Sequence, residues 1–553
     1  MKRKFLALLL TVSTCLSLLT GCGNGNAEAV TADQTAENDQ QTAEGEEGLI
    51  PITFCRTQSS TEESDIFAKL DGESYEDNRW TRIIEEQLGI DVQYLWIASS
   101  AEQQTQKFNA AVAAQSIPDI VCVDKITLKN LVEAGQVVDL KPYYDQYASD
   151  LLKSMIDAAG EQCIQACTFA DVQYGIPYVD CDLETAQMLW LRQDWMDELN
   201  LEAPETTEDL KEIIRAFMAK VGDGAVGMAL CNDLHGVTMG IKGWCNGYGA
   251  YPGYWVEGSD GQLVYGSTTQ EMKEALSGLA GLYEEGLLDQ EFYVNDGTKS
   301  AEALVSGKCG VMYGWHATPL WPLQDNIDQD PAADWKPYRI VTGKEGETIR
   351  PGINMMTSTW YAVSKNCQHP EALIQLLNLY CEKVFDPEKN EYSYYANPGG
   401  GLEGVWRLSP VTLNSANKNQ QTALAIATPL ETGDPGDLYG EQLSMYEYSK
   451  AALDGDTTLW GWNRVFGKDG SQQLLLRYQQ DTDVELVSDA FYGASTETMT
   501  TRKSTLDSML NETFFKIISC QISLEEFDKT VAAWYEAGGQ DMTNEVNQWY
   551  QEQ

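Results

Sequence analysis

The sequence predicts an α/β protein built as a doubly wound, mostly parallel sheet, and three observations carry the prediction. Between Ile52 and Val123, strand-like apolar runs alternate with segments whose apolar residues recur at helical spacing. Several helical stripes carry a start or stop signal in the adjoining residues. Apolar residues make up 43% of the 553, enough for a large packed core, and this length predicts two to four domains.

The elements follow in order. Ile52-Thr53-Phe54 is a short apolar run and reads as the first strand. From Asp77 to Leu88, Trp80, Ile83, Ile84 and Leu88 share one helical stripe, Glu85 and Glu86 lie off it, and Gly89 stops the helix. Ile90 to Trp96 alternates as a strand. Phe108, Ala111 and Val112 mark a second helix, and Pro118 breaks it from the buried strand Asp119 to Val123. The order β-α-β-α-β belongs to parallel sheets, which bind ligands at the carboxyl ends of their strands. A second unit begins after Tyr174-Gly175-Ile176-Pro177-Tyr178, with a strand over Ala186–Leu191 and a helix over Gln193–Leu199. Thr206 and Asp209 form a capping box before Leu210, Ile213, Ile214 and Phe217. Met272, Ala275, Leu276, Leu279 and Leu282 make a further stripe that ends near Gly286. Pro370 opens a helix carrying Leu373, Leu376, Leu377 and Tyr380. Near the end come Leu506, Leu510 and Phe514, then a capping box at Ser523–Glu526 before Phe527, Val531 and Trp534.

The N-terminus sets the compartment. Met1-Lys2-Arg3-Lys4 is a basic n-region and Phe5 to Leu19 a mostly apolar h-region, so residues 1–21 read as a secretory signal. Gly23 to Glu47 holds seven acids and no base, with almost nothing to bury, and is expected to be a disordered tether spanning 22–48. No later stretch approaches 18 consecutive apolar residues. With 37 Lys+Arg against 84 Asp+Glu, the formal charge is −47, which excludes a nucleic-acid binder and adhesion to anionic lipid through surface charge.

The thirteen cysteines include Cys15 and Cys22, and the odd eleven that remain cannot all pair. They are expected to be mostly buried free thiols. Cys163 and Cys167 lie four apart without a second pair to complete a zinc site, and His235, His316 and His369 are not spaced for a metal. No nucleophile elbow, HExxH, phosphate loop or Rossmann glycine pattern occurs, and Asn295 to Ser300 lacks the first glycine of a phosphate loop. Among 84 acids some pair is inevitable, so a carboxylate pair carries no information. Asp260-Gly261 reads as a hairpin turn.

What stands out is 15 Trp and 27 Tyr, many in turn-rich polar stretches: Trp244 to Tyr251, Gly314-Trp315-His316, Thr359-Trp360-Tyr361 and Trp460-Gly461-Trp462-Asn463-Arg464. A sugar ring has an apolar face and a polar rim, which an aromatic platform flanked by Asn, Asp or Arg satisfies. The helical aromatics Trp80, Trp534 and Tyr535 are assigned to packing.

Two resemblances sharpen this reading. Leu19-Thr20-Gly21-Cys22 resembles a bacterial lipobox, which implies cleavage before Cys22 and lipidation of that residue. Five stretches over roughly residues 50–553 resemble the family 1 extracellular solute-binding lipoproteins of carbohydrate-type ABC importers, in the large Gram-positive branch. They are Ile117–Val121 with Leu131 to Leu140; Tyr174–Tyr178; Leu189–Met196 through Pro204; Glu285–Asp289; and Phe491–Ala494 to Trp549-Tyr550. The resemblance implies a two-lobe, periplasmic-binding-protein-like fold with a helical C-terminal part. Lobe 1 would be 49–178 plus about 350–410, and lobe 2 would be 179–349 plus about 411–553. Crossings are expected at Tyr174–Tyr178, about Arg350–Trp360 and near 405–430. It further implies a monomeric receptor on the extracellular face of the membrane, which closes on an oligosaccharide and docks on permease subunits, with no cofactor, metal or catalytic residue. On this reading Trp244, Trp315, Trp360 and Trp460 stack on sugar. Tyr178, Asn246, His316, Tyr361 and Arg464 make polar contacts, and Asp119 to Val121, Asp194 and Trp195 are scaffold. Alternatives are a lipid-anchored glycan hydrolase and a sensory or adhesive binding protein without an importer.

Overall fold

The computed structural model describes residues 48–58, 62–343, 346–399, 402 and 404–552. The expected signal peptide, the lipidated Cys22 and nearly all of the tether lie outside the described residues.

Strands β1 (Ile50–Thr57) and β2 (Ile90–Ala98) pair in parallel from Ile50↔Ile90 to Thr57↔Ala98. The helix Arg79–Leu88 between them starts where the Asn78 side chain accepts from the N–H of Trp80 and Thr81, and it ends at Gly89, whose φ of 64° suits glycine. Its stripe buries Trp80, whose ring stacks on Tyr380 at 5.2 Å and whose indole N–H donates to Tyr395 O. Strand β3 (Ile120–Asp124) is tied to β1 by Asp119, whose carboxylate accepts from Thr53 N at 2.9 Å and Thr53 Oγ1 at 2.6 Å. Asp119 thus links two neighbouring sheets, β1/β2 and the one that contains β3.

After β4 (Ile176–Pro177) the chain forms β5 (Met188–Arg192), β6 (Val311–Gly314) and β7 (Trp335–Tyr338), then returns as β8 (Thr359–Val363) to lie between β3 and β4. Here the strand directions depart from the expected mostly parallel sheets. β8 runs antiparallel to both β3 and β4, because it enters from a segment that comes back from the second sheet. β5 sits between β6 and β7 and is antiparallel to both. Parallel pairing is found at β1/β2, at Gly352–Ile353 with Val487–Ser488, and at isolated bridges such as Ala229↔Met312.

The apolar side chains gather in two sets of cores. One draws on Ile52 to Val179 and on Met356 to Ala416. The other draws on Leu183 to Ile353 and on Leu474 to Val546, and a smaller helical core runs from Ala423 to Phe466. The Thr206/Asp209 capping box forms. Trp255–Glu257 and Leu263–Tyr265 pair around the Asp260-Gly261 turn. The Ser523–Glu526 box does not form, since the helix begins at Glu525 and only the Ser523 carbonyl accepts from Glu526 N. All eleven cysteines among the described residues are unpaired, and most are buried. No described helix is long and apolar enough to cross a membrane.

Candidate functional site

Three stretches of backbone run side by side where the two core sets meet. Tyr178 N donates to Thr359 O at 3.0 Å, Asp180 N to Met356 O at 2.9 Å, and Asn414 N to Val179 O at 3.0 Å. The Thr185 hydroxyl accepts from Asn354 N at 2.8 Å. These contacts fall within or just beyond the three expected crossings. Away from them, Lys125 at the carboxyl end of β3 sets its Nζ 4.9 Å from the Phe491 ring of the second core set.

Against the three stretches lies a cavity of about 280 Å³. Of the nine side chains expected to touch ligand, Tyr178, Trp315 and His316 line it. β6 ends at Gly314, where an added Cβ would lie 2.3 Å from Thr318 Oγ1, so the chain turns tightly and carries Trp315 and His316 past the strand end. The two rings meet edge to face at 4.7 Å. A second cavity of about 520 Å³ shares His316, Trp406, Lys418 and Glu441 with the first and extends to Trp462, so the two form one groove.

The other six do not come together there. Trp244 and Trp360 are each 1% exposed, with their indole N–H groups donating to Ala275 O and Cys163 O. Both are core residues with no face left for a ligand. Asn246 is buried and pins the returning segment, accepting from Gly352 N at 2.9 Å and donating to Ala250 O at 3.1 Å. The Tyr361 hydroxyl is closed by the backbone of Thr412, donating to its O at 2.9 Å and accepting from its N at 2.8 Å. Trp460 packs on the core containing Trp190 and Trp335, and Arg464 caps its ring at 5.5 Å while pairing with Asp334.

Sequence reading missed Asp180, Glu184, Trp406, Lys418, Glu441 and Trp462. For Trp462 the signal was present: Trp460 and Trp462 stand two apart on the helix Trp460–Phe466 and so point to different sides. The others carry no local mark, because they meet only through folding.

The polar part of the groove is a connected network. Glu184 Oε1 accepts from Gln472 Nε2 at 3.0 Å and Gln420 Nε2 at 3.4 Å, and its Oε2 lies 3.3 Å from His316 Nε2. Gln472 Nε2 is also 3.1 Å from His316 Nδ1. An amide nitrogen only donates, so Nδ1 accepts and the ring proton sits on Nε2, facing Glu184. Burial pushes His316 down against the pull of Glu184, which keeps the ring neutral. Burial pushes the Glu184 carboxyl up, yet the facing His316 N–H, the Lys418 ammonium and its other hydrogen bonds outweigh burial and hold it below the ordinary carboxylate range. Lys418 Nζ reaches both Glu441 oxygens, at 2.8 and 3.0 Å, and Asn419 Oδ1 at 2.7 Å. Burial would lower it, but Glu441 and Glu184 raise it further, so it stays charged. Among the described residues no three His, Cys, Asp or Glu side chains form a set that could hold a metal ion.

This chain matches the family of bacterial extracellular solute-binding proteins over residues 73–381. It belongs to that family. As a solute-binding protein it is 24% identical over 491 residues to lipoprotein LipO of Bacillus subtilis, covering 85% of this chain and 88% of the relative. It is 22% identical over 482 residues to the polygalacturonan/rhamnogalacturonan-binding protein YtcQ of the same organism, with the same coverage. The Streptococcus pneumoniae ABC-transporter substrate-binding protein FusA, solved in complex with kestose, superposes with a TM-score of 0.61 at 14% identity. The match covers 91% of this chain and 99% of that one. The two-lobe α/β fold of solute-binding proteins is therefore the fold of this chain.

Proposed function

We propose that this solute-binding protein captures an oligosaccharide between its lobes and delivers it, chemically unchanged, to the permease of an ABC importer. A lipid on Cys22 would hold it on the outer face of the cell membrane as a monomer. The core memberships support lobes near 49–178 plus 350–410 and 179–349 plus 411–553, with Val411 to Ala416 still packed on the first. The observation that carries the reading is the groove beside the three crossing stretches. Trp315, Tyr178, Trp406 and Trp462 offer flat faces there, next to carboxylates, an amide and an ammonium. Such a groove suits a pyranose, whose apolar face stacks while its rim hydroxyls hydrogen-bond. A sugar that touches both lobes only when they are closed draws the open–closed equilibrium toward closure. The relative named for polygalacturonan and rhamnogalacturonan binding and the kestose complex of FusA agree with a glycan ligand.

Calorimetry of the full chain in detergent against gluco-, galacto-, xylo- and fructo-oligosaccharides tests the reading. One or more should bind at micromolar concentration or below, with a smaller radius of gyration on binding and the sugar recovered intact. A panel in which nothing binds, or in which the sugar comes back cleaved, overturns it.

A further inference from the structure

We propose that the inner cavity, between Tyr178 and Trp315, takes an uncharged sugar unit and turns away a uronate. This rests on the oligosaccharide reading and narrows it. Three carboxylates border the cavity, those of Asp180, Glu184 and Glu441, against one ammonium, that of Lys418. Lys418 already spends its charge on both oxygens of Glu441. His316 adds none, because Gln472 fixes it in the neutral form with its proton toward Glu184. Asp180 faces the cavity, with Asn414 Nδ2 at 3.3 Å from Oδ1, and retains acceptor sites that match the hydroxyls of a neutral ring. A uronate carboxylate placed there would meet like charge, with the one ammonium already held by Glu441, and a desolvated charge without a partner is strongly disfavoured.

The arginines that would suit a uronate are engaged elsewhere. Arg350 binds Glu485 at 2.8 Å, Arg464 binds Asp334 at 2.5 Å, and neither lines the groove. Two further basic groups, Lys69 and Arg407, stand at the outer cavity, where the Arg407 guanidinium lies over the Trp406 ring at 4.5 Å, and neither lines the inner one.

Calorimetry of the full chain at low salt compares the neutral oligosaccharide panel with trigalacturonate. Trigalacturonate should bind at least 100-fold more weakly than the best neutral sugar. Raising the salt should strengthen what binding it has, because screening weakens the repulsion. Asp180→Asn should improve it about tenfold, and circular dichroism reports whether that variant is folded. The salt series on the wild-type chain decides the matter if it is not. Trigalacturonate binding as tightly as the best neutral sugar, or weakening as salt rises, overturns the proposal alone. Failure of every sugar to bind overturns the oligosaccharide reading and this proposal with it.

Discussion

Trp360 and Trp315 belong to sequence neighbourhoods of the same character, an indole next to a polar aromatic at the edge of an apolar run. Trp360 stands inside β8, opposite Val123 of β3 and Pro177 of β4, and its indole N–H is used by Cys163 O. Trp315 stands one residue beyond β6, where no neighbouring strand covers it, and its ring borders a cavity. Standing inside a paired strand or just past the end of one separates a core residue from one that borders a cavity. In a sheet the interior of the ladder is sealed by its neighbours, while a residue just past a strand end lies outside the ladder.

The widest separation expected between the two is in stability. Trp360→Ala should cost about 3–5 kcal/mol of unfolding free energy, the usual range for emptying a buried indole site. The affinity of the molecules that remain folded should be unchanged, and urea denaturation paired with calorimetry reads both. If Trp360→Ala instead weakened sugar binding at full stability, the contrast would be reversed.

Trp315→Ala should do the opposite. Loss of a stacking face is expected to cost about 2 kcal/mol of binding, roughly 30-fold in affinity, with the melting temperature little changed. A variant that melts early while binding normally would assign Trp315 to the core instead.

The pair two residues apart refines the same rule at smaller amplitude. Trp462→Ala should weaken binding about fivefold, or about 1 kcal/mol, as a partly exposed contact at the outer cavity. Trp460→Ala should leave affinity alone and lower stability instead. Equal effects of the two on affinity would mean that the helix face does not decide the role.

The smallest effect concerns the network behind Trp315. His316 has its proton affinity lowered by burial, below the ordinary value of 6.5 that it regains on unfolding. Below pH 6.5 the unfolded chain takes up a proton that the folded chain refuses, so stability present above that pH is lost as the pH falls. His316→Gln should flatten the decline between pH 6.5 and 5 in thermal melts. A wild-type decline that the substitution leaves unchanged would show that His316 does not control it.

Much of the local structure was legible before folding. The Trp80 stripe, its Gly89 stop, the Thr206/Asp209 box and the Asp260-Gly261 turn all formed, because each depends on side chains within a few positions of one another. The Ser523 box failed because the helix starts one residue later than the pattern implies. The direction of β8 was not legible either, since pairing direction depends on where a distant segment returns.

At the site, the sequence by itself determined the kind of surface. Aromatic residues set among polar ones are fit to hold a sugar. Which aromatics form that surface was decided only by tertiary structure. Glu184 meets Gln472, and Asp180 meets Asn414, across more than two hundred residues of chain. Trp244 and Trp360 were drawn into the cores by the same folding. Exposure is a property of the packed whole, so the same indole is interior or platform according to what the rest of the chain lays over it.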